Sequence, residues 1–204
     1  MMRRLLLTAA LMTLVMTVLT GLAYPLALTG VAQLAFHGQA NGSLVTKASG
    51  EVVGSRLIGQ SFSDAAGQPL RRYFQPRPSA AGASGYDAMA SGAANLGPSN
   101  PVLLRSVTTA VHAYRSLNGL SAATSVPVDA VTSSGSGLDP EISIANARLQ
   151  AARVAMARGL PLATVEKMIS HATQSRVAGI LGEPGVNVLE LNLALDKLGR
   201  QAGR

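Results

Sequence analysis

Cysteine is absent from the 204 residues, which excludes disulfides, thiolate metal sites and a cysteine nucleophile. The compartment stays open on that ground alone. Aromatic residues make up only 3% of the chain, and few stand beside basic positions where bases could stack. The net charge of +7 comes from scattered residues, mostly arginines, with no block of five or more like charges. Nucleic acid is therefore a poor fit as a partner. Scattered positive charge suits a solvated face, anionic lipid or an acidic partner. Acidic residues number ten, too sparse to pair as a general acid and base. His37, His112 and His171 lie far apart, with neither an HExxH pattern nor an i, i+4 pair, so no metal site is expected. No GxSxG elbow is present.

The most prominent feature is one apolar run. After MMRR, no charged residue appears from Leu5 to Phe36. A bilayer core of about 30 Å needs about 20 helical residues, and Leu5 to Tyr24 is long enough to span it. A cleaved signal peptide has a shorter apolar region and a small-residue cleavage site. This run is longer and no clear Ala-x-Ala site follows, so a retained anchor is the expectation. Arg3 and Arg4 flank one end, while the other end has no Lys or Arg until Lys47. The positive-inside rule then divides the chain into a cytoplasmic tip (1–4), a transmembrane helix (5–36, core about 5–26) and an extracytoplasmic domain (37–204). Thr13, Thr17 and Gly21 recur every four residues, a small stripe that lets another helix approach. Pro25 removes the hydrogen bond to Gly21 and is expected to kink the outer end.

Beyond the turn at Asn41-Gly42, short strand-like pieces stand at Leu44–Thr46, Glu51–Gly54 and Leu57–Ile58. Residues 63–100 form a long loop rich in Gly, Ser, Ala, Asn and Pro. Tyr73, Phe74 and Tyr86 are expected to pin it to a core. A loop of this length in a small domain is functional, an ordered interface or disordered. One helix should start at Pro101 with Asn100 as cap, end before Gly119, and turn Leu104, Val107, Val111 and Tyr114 inward. A second should start at Asp139-Pro140-Glu141 and stop at Gly159, with Ile142, Ala145, Leu149, Ala152 and Met156 on one face. A third should run from Leu162 to about Thr173, burying Val165, Met168, Ile169 and Ala172. VNVLELNLALDKLG fits strand or helix. Its Lys197 and Gly199 favour a helix ending there. The expected fold class is a single N-terminal transmembrane helix followed by a small α+β extracytoplasmic domain.

One stretch, SSGSGLDPE (133–141), admits two readings. It resembles a glycine-rich phosphate loop through Ser134, Gly135, Ser136, Gly137 and Asp139. Yet it has no lysine for a Walker loop and lacks the third glycine of a dinucleotide fingerprint. Asp139 and Glu141 would repel phosphate, whereas both suit the first turn of a helix. The plainer reading is a bendable loop capped by Asp139.

Several motifs occur in order: TGLAYPL (20–26), NGSL (41–44), GSRLIGQSF (54–62), YFQPRPSA (73–80), SGAANLGPSNP (91–101), VPVDAVTSSGSGLDPEIS (126–143), RVAMARG (153–159) and GEPGVNVLELNLALD (182–196). Together they closely resemble the C subunit of the Kdp-type potassium-transporting ATPase, over nearly the whole chain. The family more often reads SGGSNLGPSN in the first loop, and often has histidine where Glu141 stands. The resemblance implies a non-catalytic subunit of an ATP-driven, high-affinity potassium uptake complex in the bacterial inner membrane. A P-type subunit would hydrolyse ATP, a channel-like subunit would pass potassium, and a small single-helix subunit would complete the assembly. ATP and potassium would then be handled by the complex, with no cofactor bound by this chain. The family's C subunit has been described as a chaperone that raises ATP affinity through the 133–141 loop, and as an external domain over the ion-selective subunit. The charge at Arg3 and Arg4 favours the second description. A membrane-tethered binding module for another partner is the reading independent of the family. Candidate contact residues are Thr13, Thr17 and Gly21 in the anchor, and Arg77, Pro78, Asn95, Gly97 and Pro98 in the long loop.

Overall fold

The computed structural model describes residues 1–47 and 49–202, with the backbone alone at 200–202. The chain divides into two compact units, residues 1–44 and 45–204.

The first unit is almost entirely helix. Helix α1 (Met2–Val18) passes through a π-helical turn (Leu19–Ala23) into α2 (Tyr24–Ala35). The combined Met2–Ala35 segment is long and apolar enough to cross a membrane, and none of its most apolar stretch is buried in the protein. The π turn stands just before Pro25. The Tyr24 N–H donates to the Leu19 carbonyl five residues back. A proline cannot supply the α-helical bond to the residue four back, and a one-turn widening accommodates that gap. The perturbation expected at Pro25 thus takes the form of a π turn. Phe36, at φ −135° and ψ 42°, leaves the helix before the short α3 (His37–Ala40). Asn41 Nδ2 donates to the His37 carbonyl (2.7 Å) and to Gln33 Oε1 (3.0 Å), closing the end at the expected turn.

The second unit opens with a hairpin of β1 (Leu44–Thr46) and β2 (Val52–Ser55). The third strand-like piece, at Leu57–Ile58, is a turn. Ser55 Oγ accepts from the Leu57 N–H at 3.1 Å, and a side-chain acceptor of this kind competes with strand pairing. Helix α4 (Pro101–Asn118) has the expected ends. The Asn100 side chain accepts from the Val102 N–H, and Gly119 closes the helix at φ 66°. Val107, Val111 and Tyr114 are half-buried on its inward face, as expected, but Leu103 takes the place of Leu104, which is 55% exposed. Tyr114 ties this face to α5 by donating to Asn146 Oδ1 at 2.8 Å.

The second helix differs more. Asp139 does not cap it. Asp139 Oδ1 accepts from the Glu141 N–H at 3.0 Å, and the chain then extends as β3 (Glu141–Ser143). Helix α5 (Ile144–Arg158) begins only after Ser143, whose hydroxyl accepts from the Asn146 N–H at 3.1 Å. The cause is tertiary: β3 needs an extended backbone to pair with a strand far ahead in sequence. The expected apolar face is wrong too. Ala145, Ala152 and Met156 face solvent, with Met156 82% exposed. The buried face carries Ala147, Ala151, Val154 and Ala155 together with Asn146, Gln150 and Arg153. Polar side chains can line a core when every group finds a partner, so an apolar pattern misses this face.

Helix α6 (Leu162–Ala172) buries Val165 and Ile169, with Met168 and Ala172 packed beside them, as expected. β4 (Thr173–Gln174) and β5 (Gly185–Asn187) follow, and α7 (Val188–Ala202) continues directly from β5. The ambiguous run is thus both strand and helix, and its helix runs past Gly199. The three-stranded antiparallel sheet has the order β3-β5-β4, with Val186 opposite both Ile142 and Thr173. Phe74, Ile142, Val154, Val165, Val186, Leu191 and Leu195 fill the core among α5, α6, α7 and this sheet. Each large apolar side chain so buried contributes roughly 1.5–3 kcal/mol.

Two side-chain amides draw the long loop into that core. The Phe74 N–H donates to Asn192 Oδ1 (2.8 Å), and Asn192 Nδ2 donates back to the Phe74 carbonyl (3.0 Å). Gln150 makes the same reciprocal pair with the Gln75 backbone, at 2.8 and 3.0 Å. The Tyr73 hydroxyl donates to Asp196 Oδ2 (3.1 Å), and the Arg158 guanidinium lies 5.0 Å from the Tyr73 ring centre while Arg158 Nη1 binds Asp196 (2.9 Å). The aromatic pins expected at Tyr73 and Phe74 are therefore present.

Candidate functional site

The 133–139 loop lies against the segment 77–92, held mainly by side chains of that segment on loop carbonyls. The Gly59 N–H donates to the Leu138 carbonyl (2.8 Å), and the Gly92 N–H and Ser91 hydroxyl both donate to the Ser136 carbonyl (2.9 and 3.0 Å). The Ser79 hydroxyl donates to the Gly137 carbonyl at 2.6 Å. Gly137 is required here for two reasons. Its φ is +69°, and a Cβ would sit 2.6 Å from the Gly92 oxygen and 2.8 Å from the Ala81 nitrogen. The loop is thus closed over by its neighbours rather than open around a cavity.

Three amide groups of the stretch are paired within it. The Gly137 N–H donates to the Ser134 carbonyl (3.3 Å), the Leu138 N–H to Ser136 Oγ (3.1 Å), and the Glu141 N–H to Asp139 Oδ1 (3.0 Å). A phosphate cradle needs such donors directed at the ligand. Ser134, Gly135 and Ser136 remain at the outer edge of the loop, and the two serine hydroxyls lie 3.4 Å apart.

Arg77 is the nearest cation, and it is already engaged. Its Nη1 binds Asp139 Oδ2 at 3.0 Å and its Nη2 donates to the Ser133 carbonyl at 3.3 Å, while its buried Nε has no hydrogen-bond partner. Tyr86, at φ +58°, donates its hydroxyl to the Arg77 carbonyl at 2.6 Å. Burial pushes that phenol up to about 12, so it stays a neutral donor at physiological pH. Beside the Arg77–Asp139 pair, which latches the loop to the 77–92 segment, is a groove of about 400 Å³ whose walls include Arg77, Asp129, Asp139, Glu141 and Glu183. Burial, and then the charge of Asp139, raise the Glu141 carboxyl above its ordinary range. One cation among four carboxylates makes this groove hostile to a phosphate anion. Among the described residues, no group of three or more His, Asp or Glu side chains is placed to hold a metal.

Asp129 orders the far side. Its carboxylate accepts from the Ser143 N–H (2.8 Å), the Ser143 hydroxyl (2.9 Å) and Asn146 Nδ2 (2.9 Å), which ties the 3₁₀ turn Val128–Ala130 to the start of α5.

The remaining candidate residues are separate from this cluster. Pro78 is half-buried next to Arg77, while Asn95, Gly97 and Pro98 are exposed before α4. In the anchor, Thr13 and Thr17 line a shallow groove with Ala9, Met12, Met16 and Thr20, and Gly21 is exposed one turn further on. Sequence reasoning missed Gly59, Ser79, Gly92 and Asp129. Their contacts to the 133–146 stretch span from about 14 to about 80 residues of chain, and no local spacing marks such pairs.

The family described as K+-transporting ATPase, c chain (KdpC), matches residues 6–197. A potassium-transporting ATPase KdpC subunit from Mycobacterium bovis (strain BCG / Pasteur 1173P2) is 57% identical over 197 residues, covering 97% of this chain and all of the relative. The KdpC subunit of Caulobacter sp. (strain K31) is 57% identical over 180 residues, covering 88% of this chain and 87% of its own. That of Caulobacter vibrioides (strain NA1000 / CB15N) is 56% identical over 180 residues. The ordered motifs, the apolar N-terminal helix and these matches agree along nearly the whole length, and the chain belongs to the KdpC family, the c chain of the K+-transporting ATPase.

Proposed function

We propose that this chain is a non-catalytic assembly and coupling subunit of an ATP-driven potassium uptake complex. Its anchor packs beside the channel-like subunit, and its folded domain docks on the external face. The ATP-hydrolysing P-type subunit and a small single-helix subunit complete the complex. Potassium passes through the channel-like subunit and ATP binds the hydrolysing one. Arg3 and Arg4 at one end of the apolar helix, with no Lys or Arg before Lys47 at the other, support the orientation.

The observation that carries this reading is the state of the 133–139 loop. Its donors at Gly137, Leu138 and Glu141 are consumed internally, and Arg77 is paired with Asp139. A loop whose donors are already paired has few to direct at a nucleotide. A subunit alters the ATP affinity of its complex without touching ATP when it binds one conformation of the complex more tightly than another.

Two measurements test it. A reporter active only outside the cytoplasm, fused after Arg204, is expected to be active, and a reporter active only inside is expected to be silent. The reverse pattern would make direct nucleotide contact at Ser134, Gly135, Ser136, Gly137 and Asp139 the leading reading. Calorimetry on the purified chain is expected to show no binding heat at millimolar ATP.

A further inference from the structure

Two asparagines in this chain stand directly before a glycine, Asn41 and Asn118. Asparagine is a thermolabile residue, and most so in that dipeptide, because glycine has no Cβ to keep its backbone nitrogen away from the asparagine side chain. The nitrogen attacks the side-chain carbonyl carbon and gives up its proton. The bond to the amide nitrogen breaks, and ammonia leaves with that proton. Water then opens the cyclic imide at either carbonyl, which leaves aspartate or isoaspartate. Water is the only co-reactant, and nothing is oxidised or reduced.

The fold treats the two sites differently. Asn118 is 8% exposed. Its Nδ2 donates to the Tyr114 carbonyl (2.9 Å) and its Oδ1 accepts from Arg153 Nε (2.8 Å). Arg153 is itself buried and donates to Gln150 Oε1 and the Tyr73 carbonyl, so freeing Asn118 means opening the core. Asn41 and Gly42 are exposed, and a small clasp holds the reacting groups apart. Asn41 Nδ2 donates to Gln33 Oε1 (3.0 Å) and to the His37 carbonyl (2.7 Å), and Gln33 Nε2 donates back to Asn41 Oδ1 (3.4 Å). His37 Nδ1 lies 3.1 Å from the same Gln33 oxygen. The attacking group is held as well. The Gly42 N–H donates to the Gln39 carbonyl at 3.1 Å, and an amide must release that proton to attack.

We infer that Asn41 is a deamidation site guarded by the clasp of Gln33 and His37, and that its conversion undoes the turn that ends the anchor. An aspartate there is ionised and has no N–H to give. Its oxygen would face the His37 carbonyl across the 2.7 Å that a hydrogen bond now spans, and two acceptors at that distance repel. Isoaspartate also lengthens the backbone by one methylene at the same point. Asn118 needs unfolding before it reacts, whereas Asn41 needs only the loss of a few exposed side-chain bonds.

The test uses the full chain in lipid vesicles, held in mildly alkaline buffer and read by peptide mass spectrometry, with isoaspartate detected by enzymatic methylation. The folded chain is expected to convert slowly at Asn41 and not at Asn118, and in denaturant both are expected to convert at similar rates. Gln33→Ala removes two side-chain hydrogen bonds from Asn41 and is expected to speed its conversion about ten-fold in the folded chain, with Asn118 unchanged. Gln33→Glu keeps the acceptor, loses the donor and should fall between. Equal rates at Asn41 in wild type and Gln33→Ala would overturn the guarding role. Conversion of Asn118 as fast as Asn41 in the folded chain would overturn the choice of site. Asn41→Asp, one product of the reaction, is expected to speed hydrogen exchange at the Asn41 and Ser43 amides, which donate to the His37 and Gly38 carbonyls. Exchange there as slow as in wild type would mean that the turn survives, and would overturn the proposed consequence.

Discussion

Asn192 and Gln150 do the work of a missing strand. Each side-chain amide pairs reciprocally with one backbone position of the segment 73–76, so Phe74 is fully buried without leaving its own N–H and carbonyl unpaired. Buried polar groups left without partners cost about 1–3 kcal/mol each. Asn192→Leu is therefore expected to destabilise the folded unit by about 2–4 kcal/mol, seen as a lower melting temperature. Asn192→Asp keeps the acceptor and loses the donor, and should fall between the two. Gly137→Ala meets two backbone atoms at 2.6 and 2.8 Å from a positive φ, and a similar loss of stability is expected in the same melt.

Glu141 supplies a pH dependence of unusual sign. Its carboxyl is raised above the ordinary 4.5 by burial and then by Asp139. The folded state therefore holds this proton more tightly than the unfolded state does. Stability from this group is complete below the ordinary value and is lost as pH rises through the raised one. Carboxylates whose folded-state range is depressed behave in the opposite way. Glu141→Gln is expected to stabilise the domain above the ordinary carboxyl value and to remove part of the decline as pH rises from 4.5. Thermal melts across that range read the difference.

At the scale of elements, the anchor and α5 show how local rules meet tertiary ones. The anchor's ends and π turn follow from Pro25 and from the limits of the apolar run, because all the relevant partners lie within one turn. Its Thr13, Thr17 and Gly21 stripe is fully available, and a side chain at Gly21 would meet only the Thr17 methyl, at 4.0 Å. Small residues at such spacing let helices approach in lipid. Thr17→Leu with Gly21→Leu is expected to reduce recovery of the complex from membranes while leaving insertion unchanged. Unchanged recovery would move the contact to another face of the helix. For α5, the pattern Asp-Pro-Glu has every local mark of a helix start, yet β3 forms there because β5 offers a strand to pair with. The ladder and the Ser143 cap together outweigh the earlier start.

For the molecule as a whole, Arg77 joins parts of the chain that are distant in sequence. It binds Asp139 and the Ser133 carbonyl, while the Tyr86 hydroxyl binds the Arg77 carbonyl. Arg77→Met is expected to speed hydrogen exchange at Gly137 and Leu138, with little change in the core helix α7. Equal acceleration in both would mean that the loop opens only when the whole domain unfolds.

Much of this architecture is legible from residue order. The apolar run, the cap at Asn100, the terminator at Gly119, the inward face of α6 and the pinning role of Tyr73 and Phe74 all rest on interactions within a few residues or on simple apolar burial. Family membership is legible too, because many short motifs keep their order along the chain. What depended on tertiary structure was the polar face of α5, the strand at Glu141–Ser143 and the latch of Arg77 on the serine-glycine loop. In each of these, polar groups or extended backbone are satisfied by partners brought close only when the chain folds. A single sequence records which donors and acceptors are present, and the fold alone decides which of them meet.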